Sequence, residues 1–495
     1  MRDSLLSRRS CSIMSCPGRE EISVILLYRA WVVVRVILLI AVLSPRSLYA
    51  APSYVVEPCC DLCPLASKPS AYNTPVFKPF TTLVQGKEGW LFRSQTDLRT
   101  SIGLEAWEYQ ELTPLHKALK ARGVTLVLVP LPTRGLMHAD KVVKKTWAQG
   151  ELALARKNYK EMLQRLRNIG LIVPHLEKLL GEKGKDFYFQ RDTHWTPHGA
   201  KRMAHLVADA IRTLPAYKTI PRKKFMTTRV GLLGKNGRLQ DVATQLCGFG
   251  YTNQYVDQFG TVPIETGTVL RRETPRENRN PPQVVIVGTG NLEASYNFAG
   301  FLSENIEVEI LNLNAVVSAE GPTNRLINYL AGSLFQNNPP SVLIWEFEPN
   351  PDFPRHYFYN RAIPTLQNGC KTKPVLLSRE ANVPSNKKTD LLFNGGGRMR
   401  SLLGKDHQID LRFANPAVRK IQTDVWYTNG QQDTFVHEYV GADWETDGRF
   451  MFALRDKPRF GDLTFMSLDI TILTPPEGQF SVKAQLCPRL NKKKP

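Results

Sequence analysis

Val284-Val285-Ile286-Val287-Gly288-Thr289-Gly290 is the stretch whose reading decides the fold. Four β-branched residues in a row show no polar alternation. A short apolar run of this kind, bounded by a turn signal, reads as a strand buried on both faces. The same pattern recurs on either side of it. Val124 to Val129 is a continuous apolar run ended by Pro130, Leu171-Ile172-Val173 is a shorter one, and Val342 to Phe347 is the last strong one. Ile306 to Leu313 alternates apolar and polar residues. Helical periodicity separates the strands: Leu115 to Lys120 reads as helical, and Leu152, Tyr159, Met162, Leu163 and Leu166 share a face within Glu151 to Arg167. Strands alternating with helices predict an α/β fold, a parallel sheet with helices on its faces. Ligands of such sheets lie beyond the carboxyl ends of the strands, and Gly288 stands at one of those ends.

A second stretch supplies chemistry. In Asp192-Thr193-His194-Trp195-Thr196-Pro197-His198-Gly199-Ala200 an acid and an imidazole sit two residues apart. Thr196 suits an N-cap and Pro197 the first helical position. Met203, Val207, Ala210 and Ile211 then continue near a 3.6-residue period, so Asp192 and His194 lie on the connection into a helix. A carboxylate that accepts the Nδ1 proton fixes the imidazole tautomer and leaves Nε2 free as a base. The plainer alternative is a capped turn with a surface histidine. A metal site from Asp192, His194 and His198 is a weaker reading, and the site residues call for neither metal nor cofactor.

Beyond about Asn368 the character changes. Val425 to Thr428, Phe435 to Val440, Arg449 to Ala453, Leu463 to Leu473 and Phe480 to Leu486 are short β-type runs separated by turn residues. They predict a C-terminal all-β sandwich. The boundary falls within Pro364 to Lys373, giving domains at 51–367 and 368–495. Residues 1–50 read as an export signal: the apolar run Val36 to Leu43 precedes Leu48-Tyr49-Ala50, a small-residue cleavage pattern. An uncleaved anchor is the alternative, and Met14 is a second candidate start. Export to an oxidising compartment favours disulfides among Cys59, Cys60, Cys63, Cys247, Cys370 and Cys487. Cys370 with Cys487 would close the last quarter of the chain. Which of Cys59, Cys60 and Cys63 meets Cys247 stays open. The net charge of +20 implies an acidic partner. Scattered basic residues and the lack of a zinc-finger or RNA-recognition motif disfavour nucleic acid, leaving anionic lipid or an acidic polysaccharide.

The Asp192-Thr193-His194-Trp195 block, followed by the Gly288-Thr289 strand end and Asn297-Phe298-Ala299-Gly300, resembles the periplasmic alginate O-acetyltransferases of the AlgX and AlgJ type. Lys87 to Phe92, Pro132 to Leu136, Leu246-Cys247-Gly248 and Ile344 to Phe347 fit as well. The resemblance implies an SGNH-hydrolase-like domain followed by a carbohydrate-binding module of sandwich form. It implies acetyl transfer to mannuronate hydroxyls, with Asp192 orienting His194 as base. The family's nucleophilic serine falls at Gly290, which has nothing to acylate. Ser295 is then the fallback nucleophile. The alternatives are a catalytically impaired protein that binds alginate or serves a secretion complex, and an esterase of the same fold. The Gly290 N–H would form part of an oxyanion hole, with Asn297 as a supporting donor or a helix cap. Arg134 would hold a uronate carboxylate. Lys420, Thr423 and Trp426 would contact polymer, although their spacing departs from the family's. The implied partners are alginate or polymannuronate, the acetyl-donating membrane machinery and other alginate assembly proteins of the envelope. A polyuronate with one carboxylate per sugar suits the chain's positive charge.

Overall fold

The structure, a computed structural model, describes residues 61–144, 146–147, 149–182, 184–264, 281–314, 322–349, 356–439, 447–454, 460–474 and 477–489. The expected export segment, Cys59 and Cys60 lie outside the described residues.

Four strands form the central sheet in the order Thr125–Pro130, Val342–Phe347, Val284–Val287, Ile310–Asn312, and every pair is parallel. All residues of the two middle strands are buried, as their unbroken apolar runs require. Leu171-Ile172-Val173 contributes a single parallel bridge between Ile172 and Val127. Helices at Ala106–Ala121, Gln149–Asn168, Pro197–Arg212, Phe298–Ile306 and Pro322–Ala331 connect and cover the strands. In Pro197–Arg212 the Thr196 hydroxyl accepts from the Gly199 N–H at 3.1 Å, and Met203, Val207 and Ile211 are buried on one face.

Two segments differ from the reading of the sequence. The Ala106–Ala121 helix starts well before Leu115, because reciprocal capping by Glu105 and Glu108 secures its first turn and Pro114 is accommodated inside it. Ile306 ends a helix, and only Ile310–Asn312 is strand. A long antiparallel pair, Phe225–Lys235 with Gln254–Pro263, carries the helix Arg238–Cys247 between its strands. Its apolar residues are largely exposed, Val230 and Leu232 among them, so no clean alternation marked it.

The C-terminal part is two four-stranded antiparallel sheets. One runs Thr389–Phe393, Phe465–Thr474, Lys420–Tyr427, Gln432–Glu438; the other runs Arg449–Ala453, His407–Phe413, Gln479–Pro488, Leu377–Pro384. Ile421, Val425, Leu468 and Ile470 of the first are buried, as are Ile409, Leu411, Phe452 and Val482 of the second. Cys370 is joined to Cys487, and Cys63 to Cys247. Among the described residues no helix is long and apolar enough to cross a membrane.

Candidate active site

The Asp192–His194 connection is held as a tight return. The Phe189 N–H donates to the His194 carbonyl at 3.1 Å, and the Thr196 N–H to the Phe187 carbonyl at 2.9 Å. Within it Asp192 is 1% exposed and His194 7% exposed. Asp192 Oδ1 accepts from the His194 N–H at 2.8 Å and contacts the ring Nδ1. Its Oδ2 accepts from the Arg238 N–H at 2.7 Å. Burial alone would raise the Asp192 carboxyl, but the His194 hydrogen bond and charge, Lys235 and the Arg238 N–H together hold it well below the usual carboxylate range. In the neutral imidazole, an ionised Asp192 accepting from Nδ1–H leaves the lone pair on Nε2. The Tyr296 ring stacks on the imidazole with centroids 5.4 Å apart.

The strand end at Gly288 comes to this imidazole. A Cβ built on Gly290 would stand 2.7 Å from His194 Nε2. Gly290 opens a single 3-10 turn, Gly290–Leu292, capped by the Thr289 hydroxyl. Among the described residues its N–H donates to no protein acceptor. The turn is pinned from the central strand by Glu346, whose carboxyl accepts from the Thr289 N–H at 2.5 Å and from the Thr289 hydroxyl at 2.9 Å. Gly288 has to be glycine, since a Cβ there would stand 2.6 Å from the Glu346 backbone carbonyl oxygen. Asn291 completes the link: its Nδ2 donates to Thr289 Oγ1 at 2.9 Å and its Oδ1 accepts from the Trp195 N–H at 2.8 Å. One hydrogen-bonded series, Glu346–Thr289–Asn291–Trp195, therefore sets the Gly290 turn against the histidine loop.

Residues 83–349 match the family described as "SGNH hydrolase-like domain, acetyltransferase AlgX", and residues 369–495 match a C-terminal carbohydrate-binding module. The chain belongs to the AlgX family. It is 40% identical over 445 residues to the alginate biosynthesis protein AlgX of Azotobacter vinelandii, covering 88% of this chain and 90% of the relative. The solved AlgX structure of Pseudomonas aeruginosa superposes with a TM-score of 0.75 at 36% identity, covering 86% of this chain and 99% of that one. A protein named probable alginate O-acetylase AlgJ, also of Pseudomonas aeruginosa, is 25% identical over 295 residues, 54% of this chain and 69% of its own length.

In this AlgX-family chain the residues singled out from sequence divide into two groups. Asp192, His194 and Gly290 converge. Ser295 is half-buried in the following turn, Ala294–Tyr296, and the atoms nearest a Cβ at 290 belong to His194 and Glu293, not to Ser295. Asn297 precedes a helix at φ 55° with no side-chain cap; its amide reaches across to Thr261 Oγ1 at 2.9 Å. Arg134 is not an exposed fork for a uronate. It is 2% exposed, and its guanidinium donates to the carbonyls of Phe189, Gln190 and Leu91. It clamps the histidine loop from behind. Thr423 leaves the proposed polymer triad, because strand side chains alternate between faces and Lys420 and Trp426 share the other one. Thr423 is fully buried against His437 at 3.1 Å. Lys420 is ion-paired with Glu438 at 3.0 Å, and the half-buried Trp426 ring lies under Lys388 while its indole donates to Asp469 at 3.0 Å.

Residue type and spacing assign no role to Glu346, Asn291 or Tyr296. Glu346 carried a usable signal, an acid inside an otherwise apolar strand run. Burial pushes it up to about 8 against the hydrogen bonds from Thr289 and Asn291. Asn291 and Tyr296 carried none, since loop asparagines and buried tyrosines are ordinary.

Proposed function

We propose that this chain serves O-acetylation of mannuronate residues during alginate biosynthesis, after export to the periplasm. His194 acts as the base with Asp192 as its support. The observation that carries the reading is the meeting of an Asp-supported Nε2 with the Gly290 turn at the end of the central sheet. No hydroxyl stands at 290, so an acetyl-enzyme cannot form there. The residues present suit direct transfer. His194 Nε2 takes the proton of a sugar hydroxyl as that oxygen bonds to the acetyl carbonyl carbon of the donor. The bond to the donor's leaving group then breaks, and the proton passes from His194 to that group. The Gly290 N–H, which donates to no protein acceptor among the described residues, would donate to the oxyanion. General-base help of this kind is worth about 100- to 10,000-fold.

A second reading has its own support. The imidazole lies against the Gly290 backbone, closer than a side chain there would permit. A polymer-holding protein with a retired nucleophile fits that contact. The experiment is acetyl transfer from an activated acetyl ester to oligomannuronate, read by mass spectrometry. The unaltered chain is compared with His194→Ala, Ser295→Ala and Gly290→Ser. Direct transfer predicts loss with His194→Ala and retention with Ser295→Ala. Loss with Ser295→Ala would move the acyl group to that serine. Activity in Gly290→Ser alone would leave the holding role.

A further inference from the structure

A row of like charges crosses the outer face of the second C-terminal sheet. Arg412 stands directly opposite Arg449 on one neighbouring strand and directly opposite Lys483 on the other. Like charges in register across strands are unfavourable, so such a row asks what stabilises it. Two of the three have carboxylates. Arg449 Nε donates to Asp410 Oδ1 at 2.9 Å, and Lys483 is 3.1 Å from Glu380. Arg412 is exposed and has no carboxylate partner among the described residues; neither has exposed Lys371 on the incoming linker.

These cations line a cleft of about 460 Å³ between the outer face of that sheet, the linker and the end of the Ser333–Asn337 helix. Its floor is fixed. Asp410 Oδ2 accepts from the Cys370 N–H at 2.8 Å, Arg449 donates to the Asn368 carbonyl at 2.9 Å, and the Cys370–Cys487 bridge lies alongside. Asn337 and Gln485 add amides that can pair with hydroxyls, and among the described residues the one further carboxylate of the lining besides Asp410, exposed Asp447, acts on Arg449. A preformed polar cleft with two unpaired cations and flanking amides matches a chain of hydroxylated, carboxylate-bearing rings.

We propose that this cleft binds a carboxylate-bearing stretch of the sugar polymer, with Arg412 and Lys371 as its carboxylate contacts. It lies on the sheet that does not contain Lys420 and Trp426. The inference rests on the polyuronate reading of the substrate, and the match of 369–495 to a carbohydrate-binding module favours sugar over other polyanions.

The test is calorimetric binding of oligomannuronate to the full chain, beside Arg412→Glu, Lys371→Glu, their combination and Trp426→Ala. Thermal melting of each variant checks folding, and Lys371→Glu, in the linker, leaves the sheet untouched. The double variant is expected to bind at least tenfold more weakly with unchanged melting, and carboxyl-reduced oligomer to bind poorly to the unaltered chain. Unchanged affinity in the double variant would overturn the cleft alone. No binding by the unaltered chain would overturn the polymer reading and the cleft with it. Equal affinity for single-stranded nucleic acid would show unspecific attraction to polyanions and overturn the assignment.

Discussion

At Gly290 the imidazole occupies room that a side chain would need, since a Cβ there would stand 2.7 Å from Nε2. His194 has little freedom to withdraw, being held by Asp192 at Nδ1 and by the Tyr296 ring on its face. Gly290→Ser should therefore cost about 1–3 kcal/mol as overpacking. A lowered melting temperature by circular dichroism is expected; an unchanged one would show that the ring gives way freely. Glu346 makes a pH prediction. Its folded pKa, pushed up to about 8, lies above the unfolded value of about 4.3. The folded state thus holds the extra proton between these values. The stabilisation is complete below the unfolded value and is lost as pH rises through 8. Glu346→Gln should flatten the fall in stability between pH 5 and 8, measured by urea unfolding. A fall as steep as the unaltered chain's would place its origin elsewhere. Asp192 has the opposite sign. Its depressed pKa adds stability above about pH 4 that disappears as pH falls below that value, and Asp192→Asn should remove this acid-side loss.

The strands that carry the site were legible because burial on both faces leaves an unmistakable apolar run, as at Val284–Val287 and Val342–Phe347. The helix after Thr196 was legible because cap, proline and periodicity agree. The Phe225–Lys235 pair was not, since neither face of a two-stranded ribbon is fully covered and the alternation fades. That loss matters to the site, because the turn after Lys235 delivers the Arg238 N–H to Asp192. Arg134 and Thr423 were misplaced for a related reason: residue type states what a side chain can bind, and only packing states whether it points outward. The last strand depends on a covalent tie as well. The Cys370–Cys487 bridge spans 117 residues. Replacing both cysteines by serine should destabilise the C-terminal sheets by about 2–5 kcal/mol. Denaturant unfolding followed by near-ultraviolet dichroism reads this, and an unchanged midpoint would make the bridge incidental.

Across the whole chain, 65 basic residues stand against 45 acidic ones. A surface of that balance should draw a polyuronate by long-range attraction and lose it to screening, with a Debye length near 8 Å at physiological salt. Affinity for oligomannuronate should fall steadily from 0.05 to 0.5 M salt, and a salt-independent affinity would contradict an electrostatic contribution. The family matches put an SGNH-hydrolase-like domain and a carbohydrate-binding module in one chain, so under the proposed function polymer capture and acetyl transfer are expected to be coupled. The most direct test is acetylation of oligomannuronate from an activated acetyl ester by the unaltered chain and by His194→Ala, followed by mass spectrometry. The account predicts measurable transfer that falls at least about 100-fold when the imidazole is removed. Equal rates for the two proteins, or transfer only after a serine is placed at 290, would contradict it.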